Sequence, residues 1–310
     1  MTMGIDFKKI KTYPLSQRKN KVSIHDFSRP DFLANDLEKA LPEILMSKDL
    51  KSVVKDIIAA RKNNKEVIMM IGAHVIKTGL SPILIELMRK KVITHLAMNG
   101  ACCIHDFEIA LIGETSEDVA ENLENGKFGM WEETGRHMNE AIIEGAAKGL
   151  GYADAITAKI ESMSMKHMEY SVLHNAKKYG ARITAHPAIG TEIIHQHPKC
   201  DGAAIGKTSY QDFKQLADSI SKLEGGVIIN MGSSVIMPEI FLKALTIVRN
   251  LGFTVDKFTA ANFDFINHYR PRENVVMRPT MKGGKGYTII GAHEIMLPLL
   301  ASMVFRGMQQ

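Results

Sequence analysis

The chain has 310 residues, of which 45% are hydrophobic and 24% charged, a composition typical of a globular protein with a sizeable buried core. Its net charge is +5, but lysines alternate with acidic residues instead of clustering, which argues against a nucleic-acid-binding surface. No apolar run approaches the roughly 18 residues of a membrane span. We therefore predict neither nucleic acid nor a membrane as a partner.

The three cysteines are Cys102, Cys103 and Cys200. Their number is odd and two are adjacent, so the sequence predicts no disulfide framework and is consistent with the reducing cytoplasm. The N-terminal stretch has charges but no apolar segment typical of a secretory signal. We interpret residues 1–30 as a basic arm and residues 31–310 as one folded domain.

The elements alternate along this domain. Residues 31–64 carry apolar side chains at helical spacing, with breaks predicted near Pro42 and Lys48. Short apolar runs after them predict six buried strands. These runs lie at 66–76, 92–101, 181–190, 225–234, 253–264 and 286–295. Amphipathic stretches predict helices at 81–91, 115–126, 132–151, 171–180, 209–223, 237–252 and 296–305. We place caps at Ser81 and at Thr115 and Ser116, and helix ends at Gly149 and Gly180.

Alternating strands and helices predict an α/β fold. We expect a single doubly wound, mostly parallel sheet with helices on both faces. Ligands of such folds bind beyond the carboxyl ends of the strands. The residues after each predicted strand are therefore the first candidates for a site, and most of these segments combine glycine or alanine with a polar side chain.

Neither of the two common glycine-rich nucleotide motifs, G-x-G-x-x-G and G-x-x-x-x-G-K-[ST], is present. His105 and Asp106 follow a strand and are a candidate general-base pair or a capped turn. His186, His195, His197 and Cys200 fall close together in the sequence, which leaves open a zinc site or a loop whose histidines bind ligand or backbone. We predict no metal, but keep a metal-dependent hydrolase built on these histidines as an alternative.

Five segments in order resemble the deoxyhypusine synthase family. They are "GAHVIKTGL", "THLAMNGACCIHDFEIAL", "GGVIINMGSSVIMPEIFLKAL", "TAANFD…RPRE" and "GAHEIMLPLLASMVF", within about residues 66–305. The resemblance implies a Rossmann-like, NAD-binding fold and a homotetramer. It also implies transfer of an aminoalkyl group from a polyamine through an enzyme-lysine imine.

The resemblance also implies site residues. Glu273 and a lysine, Lys285 or else Lys282, would be catalytic, and Asp264 and Glu273 would bind the amine. From the residues themselves we add His105 as a catalytic candidate and His195 as a substrate-binding one. The residues implied for NAD are Ala73, His74, Asn99, Thr191, Glu192, Gly232, Ser233, Thr259, Ala260, Asp264, Gly291 and Ala292.

The sequence departs from the family at three places. Pro279 stands where the spacing expects the catalytic lysine, Pro238–Glu239 replaces a family histidine, and His74 replaces a family asparagine. The alternatives are a divergent NAD-binding enzyme that uses His105, His195 and Glu273 for other chemistry, and a non-catalytic nucleotide-binding oligomer.

Overall fold

The fold is described from a computed structural model, which covers residues 37–124 and 126–309. The predicted arm at residues 1–30 lies outside these ranges. The chain divides into two compact units, Met1–Lys48 and Asp49–Gln310, and the second contains the whole sheet. No helix of the described ranges has the length and apolar character needed to cross a membrane.

All six predicted strands form. They are β1 (Val67–Ile71), β2 (His95–Asn99), β3 (Arg182–His186), β4 (Val227–Met231), β5 (Thr259–Asp264) and β6 (Lys285–Ile290). Every pairing is parallel, and the spatial order is β3-β2-β1-β4-β5-β6. This order confirms the doubly wound fold, because the chain builds outward from β1 in one direction and then from β4 in the other.

Helices connect the strands. They are α1 (Leu37–Ala40), α2 (Leu45–Lys62), α3 (Ala73–Lys77), α4 (Ser81–Arg89), α5 (Gly100–Ile112), α6 (Val119–Glu124), α7 (Glu132–Lys148), α8 (Tyr152–Ser162), α9 (Val172–Tyr179), α10 (Gly202–Ile220), α11 (Ile236–Asn250), α12 (Tyr269–Pro271), α13 (Arg278–Thr280) and α14 (His293–Gln309). A π-helical segment, Arg272–Met277, joins α12 to α13. Helix α8 was not predicted from the sequence.

The core lies on both faces of the sheet. Strands β1 and β4 are buried along their whole length, which explains why they read as continuous apolar runs rather than alternating ones. On one face Ile68, Ile228 and Ala260 pack in a cluster with Leu216 of α10 and Phe241 of α11. Burying such side chains stabilises the fold by roughly 1.5–3 kcal/mol each.

The helix ends confirm part of the predicted capping. Gly149 and Gly180 close α7 and α9 in the left-handed region, with φ of 71° and 67°, where a residue without Cβ is favoured. Two predicted N-caps were wrong. Ser81 is the first residue of α4 rather than its cap. Asp118, not Thr115 or Ser116, accepts the Glu121 amide at the start of α6.

Candidate functional site

The crevice between β1 and β4 is the point where the strand order reverses, the usual ligand site of this fold. Its floor consists of two glycines that follow these strands. A Cβ on Gly72 would lie 2.0 Å from the Gly232 carbonyl oxygen, and Gly232 itself has a φ of 71°. Any side chain at Gly72 would force the two strand ends apart, so the sequence keeps this floor free of side chains.

Three rings stand beside this floor. The ring centroids of Phe265 and His293 are 4.5 Å apart, and those of His74 and Phe265 are 5.2 Å apart. His293 is 1% exposed; its Nε2 lies 3.3 Å from the Phe263 carbonyl oxygen, while its Nδ1 has no hydrogen-bond partner among the described residues. Burial lowers the pKa of His293, so the ring presents a neutral polar atom to the crevice.

Most residues implied for NAD lie at this carboxyl edge. Ala73, His74, Asn99, Gly232, Ser233, Asp264, Gly291 and Ala292 directly end or follow strands, and Thr191 and Glu192 lie in the loop after β3. Two placements were wrong. Thr259 and Ala260 begin β5 instead of ending it, so they lie at the opposite edge of the sheet. The apolar run before them, which the sequence predicted as part of the strand, forms a loop.

A cavity of about 740 Å³ opens at the same edge, beyond β2 and β3. Its walls come from α5, from the segment between α5 and α7, and from the loop after β3. Its polar lining includes Lys77, His105, Glu108, Glu114, Thr115, Ser116, Glu117, Glu133, Thr134, Thr191 and Glu192, and its aromatic lining includes Phe128 and Trp131. Five carboxylates thus face one lysine, which favours a cationic ligand.

A chain of hydrogen bonds orients His105 within this cavity. Its Nδ1 lies 2.7 Å from Thr115 Oγ1, and that hydroxyl donates to Glu108 Oε2 at 2.5 Å. Because the single hydroxyl hydrogen goes to the carboxylate, Nδ1 must carry the imidazole hydrogen and donate to Thr115. The Nε2 of His105 is then left with a free lone pair. Burial lowers the pKa of His105 to about 4, so the ring is neutral at pH 7.

Of the two alternatives for His105 and Asp106, a general-base pair or a capped turn, the structure does not form the pair. Asp106 points to the other side of α5, where it is fully buried and accepts hydrogen bonds from Ser171 Oγ, Val172 N and Leu173 N at 2.6, 2.7 and 3.2 Å. These groups belong to the first turn of α9. Asp106 therefore holds a helix end and does not act on the imidazole.

Glu192 and His195 lie together beside the cavity. The Glu192 Oε1 accepts the Ala188 amide at 3.1 Å, and its Oε2 lies 3.5 Å from His195 Nε2. The Glu192 Oε2 and the His195 Nε2 have no partner that meets hydrogen-bond geometry among the described residues. Burial raises the pKa of Glu192 to about 7 and lowers that of His195. Both unpartnered atoms are buried with unused hydrogen-bonding capacity.

The other histidines of this loop have separate structural partners. His186 is buried and lies 3.1 Å from Thr184 Oγ1, and His197 Nε2 lies 3.3 Å from Glu132. Cys200 is free and partly exposed. Within residues 37–124 and 126–309 no three His, Cys, Asp or Glu side chains form a group that could hold a metal ion. The geometry therefore gives the zinc hydrolase alternative no support.

The structure does not bring Lys285 to the carboxyl edge. Lys285 is the first residue of β6 and pairs with Asp56 of α2 at 2.7 Å, while the carboxyl end of β6 is five residues away, about 17 Å at the usual rise. The ion pair also raises the pKa of Lys285, which disfavours the neutral amine that an imine requires. Lys282 is exposed and lies 3.8 Å from Asp256.

The predicted amine-binding carboxylates also differ from expectation. Glu273 lies 3.0 Å from Arg272 and 3.8 Å from Arg278, so its charge is already balanced within its own segment. Asp264 accepts the amide of the next residue, Phe265, at 2.8 Å. Acidic side chains instead line the cavity beyond β2 and β3.

Several candidate functional residues were not predicted from the sequence. Thr115 was predicted as part of a helix cap, and Glu108, Lys77 and Trp131 were not predicted as site residues. One signal was available, because Glu108 follows His105 by three residues and thus lies on the same face of α5. His293 directly follows the predicted Gly291 and Ala292, but nothing in its sequence position showed that it faces His74.

No protein-family model and no curated protein matches the chain. Solved structures match it in fold. A proposed LOR/SDH protein from Methanococcus maripaludis S2 is 15% identical with a TM-score of 0.53, covering 85% of this chain and 71% of that one. A proposed deoxyhypusine synthase from Entamoeba histolytica is 13% identical with a TM-score of 0.52, covering 96% and 97%.

A third similar structure is AgrE in a ternary complex with ornithine and NAD+, 14% identical with a TM-score of 0.51 over 83% of this chain. The chain spans about a third of AgrE, 32% of its length. At these identities the three similarities show a shared fold. The chain therefore has the Rossmann-like α/β fold of the LOR/SDH protein, AgrE and the proposed deoxyhypusine synthase.

Proposed function

We propose that the chain is an NAD-dependent enzyme that acts on a cationic amine, a polyamine or a related compound. The observation that carries this proposal is the acid-lined cavity at the same sheet edge as the β1–β4 crevice. An amine that is an ammonium ion at neutral pH needs carboxylates for recognition, and an adjoining crevice can hold a dinucleotide. The ornithine and NAD+ of the AgrE complex support the same pairing of ligands.

The crevice residues fit a dinucleotide. The floor at Gly72 and Gly232 has no room for a Cβ, which suits close approach of a ligand to the backbone. The unpartnered Nδ1 of His293 and the polar side chains of Ser233 and Asp264 lie at or beside this floor. Of the residues implied by resemblance, Ala73, His74, Gly291 and Ala292 remain candidates at the same edge. Bound NAD would supply the acceptor for a hydride from the carbon beside the amine nitrogen.

The cavity residues would bind and orient the amine. Glu108 and Glu192 are the more buried carboxylates, and Glu114 and Glu133 are exposed at the rim. Trp131, which is 40% exposed, offers a ring face to a cation, an interaction worth about 0.5–1 kcal/mol at exposed sites. His105 presents its free Nε2 as a hydrogen-bond acceptor for the amine.

Aminoalkyl transfer requires a lysine at the cavity, and Lys77 takes that place in our proposal. Among the described residues Lys77 is the lysine that lines the cavity, whereas Lys285 is at the opposite edge. The neutral Lys77 amine would attack the carbon of the oxidised, imine-containing substrate. The carbon–nitrogen bond to the departing amine then breaks, and the aminoalkyl group remains on Lys77 as an imine.

Borohydride trapping tests this function. The purified protein is incubated with NAD and spermidine, NADH is followed by absorbance, and the reduced adduct is located by peptide mass analysis. We expect NADH formation and an adduct on the peptide containing Lys77, lost in Lys77→Met and kept in Lys285→Met. An adduct on Lys285 would overturn the lysine assignment. Absence of NADH with a panel of amines, together with absence of NAD binding by calorimetry, would overturn the function itself.

The resemblance further suggests a cytoplasmic homotetramer. The exposed apolar side chains Ile112, Val119 and Trp131 at the cavity mouth support assembly, since exposed apolar clusters commonly mark interfaces. Three free cysteines support a reducing compartment. Light scattering of the purified protein should give four times the chain mass; a monomer would contradict the tetramer.

A further inference from the structure

We propose that Glu192 is the proton acceptor of the cavity and that His195 is the residue that positions it. The assignment rests on the proposed function, because an ammonium group must lose a proton before its neighbouring carbon can lose a hydride. Neither residue has this role in the sequence-based predictions, which are cofactor binding for Glu192 and substrate binding for His195.

The hydrogen bonds around His195 determine its tautomer. The Gly190 amide donates to His195 Nδ1 at 3.1 Å, so Nδ1 carries a lone pair and Nε2 carries the hydrogen. This N–H faces the Glu192 Oε2 at 3.5 Å. His195 therefore faces the carboxylate as a fixed donor, and the gap is longer than an ordinary hydrogen bond, leaving Oε2 free to bind another group.

Glu192 is held from two other directions. Its Oε1 accepts the Ala188 amide at 3.1 Å. A Cβ added to Gly100, the first residue of α5, would lie 2.2 Å from Glu192 Oε2, so the carboxylate packs directly on the start of this helix. The positive end of a helix stabilises an anion. Only 6% of Glu192 is exposed, and the residue lines the cavity, so its unpartnered Oε2 is buried at the cavity wall.

Burial, not a neighbouring charge, is the main cause of the raised pKa of Glu192. From the protein side, Cys102, Cys103 and Tyr152 approach it; all three are buried, and burial raises their pKa values, so they stay neutral. From the cavity side the facing groups are Lys77, His105 and Glu108. Burial raises the pKa of Glu192 to about 7.

This proton affinity favours Glu192 over His105 as the acceptor. The pKa of His105 is about 4 and that of Glu192 about 7, and a primary ammonium titrates near 10. The equilibrium constant for proton transfer from the ammonium group to Glu192 is therefore about a thousandfold larger than that for transfer to His105. His105 is better suited to accept a hydrogen bond from the amine than to remove its proton.

The step balances without another reagent. The ammonium N–H bond breaks and its proton forms an O–H bond on Glu192 Oε2, which leaves a neutral amine with a nitrogen lone pair. As the carbon–hydrogen bond next to nitrogen breaks, its electron pair leaves as hydride to NAD, and the lone pair forms the carbon–nitrogen double bond. Glu192 afterwards returns its proton to solvent or to the departing amine.

Carbon NMR of the glutamate carboxyl groups tests the assignment without catalysis. The resonance missing in Glu192→Gln identifies Glu192, and its midpoint in the wild-type protein should lie near pH 7. Spermidine should lower that midpoint, because a bound ammonium favours the carboxylate. His195→Leu should raise it, because the anion loses its donor. A midpoint below pH 5, or one insensitive to spermidine, would overturn the proposal even if the protein oxidises amines.

Kinetics supply the second test. Glu192→Gln should lower kcat for amine-dependent NADH formation by about a hundredfold or more, with NAD affinity unchanged and the acidic limb of the pH profile abolished. Gly100→Ala should reproduce part of this loss by displacing the carboxylate. Glu86→Gln, whose carboxylate pairs with Arg89 on the surface of α4, is the control and should retain activity. Full activity in Glu192→Gln would contradict the assignment.

If the wild-type protein shows no NADH formation with any amine, the NMR titration still decides whether Glu192 titrates near neutrality and senses a bound amine. A titration midpoint of Glu192 in the ordinary range of a glutamate would reject the proton-acceptor role. A midpoint near pH 7 that spermidine lowers would keep it and reject the NAD-dependent reaction alone.

Discussion

Two buried carboxylates beside α5 differ in how their oxygen atoms are satisfied. Asp106 accepts three hydrogen bonds from the first turn of α9. Glu192 accepts one that meets hydrogen-bond geometry, and its Oε2 has no partner among the described residues. Burial raises both pKa values, to about 6 and about 7. Burial and a raised pKa therefore do not separate these two carboxylates, whereas the number of hydrogen bonds that each accepts does.

At the amino edge of the sheet, in contrast to the cavity, polar side chains bind one another. Lys285 and Thr259 both bind Asp56, the hydroxyl of Thr259 donating at 2.8 Å. Asp56 thus holds both side chains, although the Lys285 side chain stays 58% exposed. The candidates implied by resemblance at this edge are therefore bound to a carboxylate of α2.

Asp106→Ala should show the largest effect on stability. The change leaves the Ser171 hydroxyl and two α9 amides without their acceptor, at about 1–3 kcal/mol for each unsatisfied buried group, so we expect a loss of roughly 4 kcal/mol in the free energy of unfolding. Urea denaturation measures it. Glu192→Gln should lose less than about 1 kcal/mol, because it removes an uncompensated buried charge. A loss in the free energy of unfolding below about 1 kcal/mol for Asp106→Ala would contradict the contrast drawn between Asp106 and Glu192.

The pH dependence of stability should depend on Asp212, a third buried acid, whose Oδ1 has no hydrogen-bond partner among the described residues. Asp212 of α10 accepts the amides of Ala153 and Ala185 at 3.0 and 2.7 Å, and burial raises its pKa to about 7 from the ordinary 3.8. Because the folded state binds this proton more tightly, its contribution is full below pH 4 and is lost as pH rises to about 7. Between pH 5 and 8 the loss is roughly 2–3 kcal/mol.

Urea midpoints at several pH values test this slope. In Asp212→Asn the side chain no longer titrates. The part of the decline in the free energy of unfolding between pH 5 and 8 that Asp212 causes should therefore disappear. Glu86→Gln at the surface of α4 is the matched control and should keep the wild-type slope in this window. An unchanged slope in Asp212→Asn would show that Asp212 is ionised in the folded protein throughout.

Lys285→Ala should have the smallest effect. The Lys285 side chain is 58% exposed, and exposed ion pairs contribute about 0–1 kcal/mol. We expect a shift in melting temperature of no more than a few degrees and unchanged amine-dependent NADH formation. Loss of activity in Lys285→Ala with normal folding would place chemistry at the amino edge and reverse the contrast drawn between the two edges of the sheet.

Much of the fold could be predicted from the sequence. Each buried strand is a short apolar run, and local hydrophobicity alone marks such a run. Strand ends were harder to predict. The run 253–264 begins with apolar residues, but only Thr259–Asp264 is strand, because a loop next to the core can be as apolar as the strand that follows it. That error moved Thr259 and Ala260 to the wrong edge of the sheet.

The sequence by itself determined the class of fold, the six strands and the edge at which most candidate side chains lie, because these depend on local periodicity and on the rule that parallel strands end together. Only the tertiary structure decided which of those side chains meet. His105 meets Thr115 and Glu108, and Lys285 meets Asp56 across 229 residues of chain. Side-chain pairing depends on distances between elements that are remote in sequence, and no local pattern encodes them.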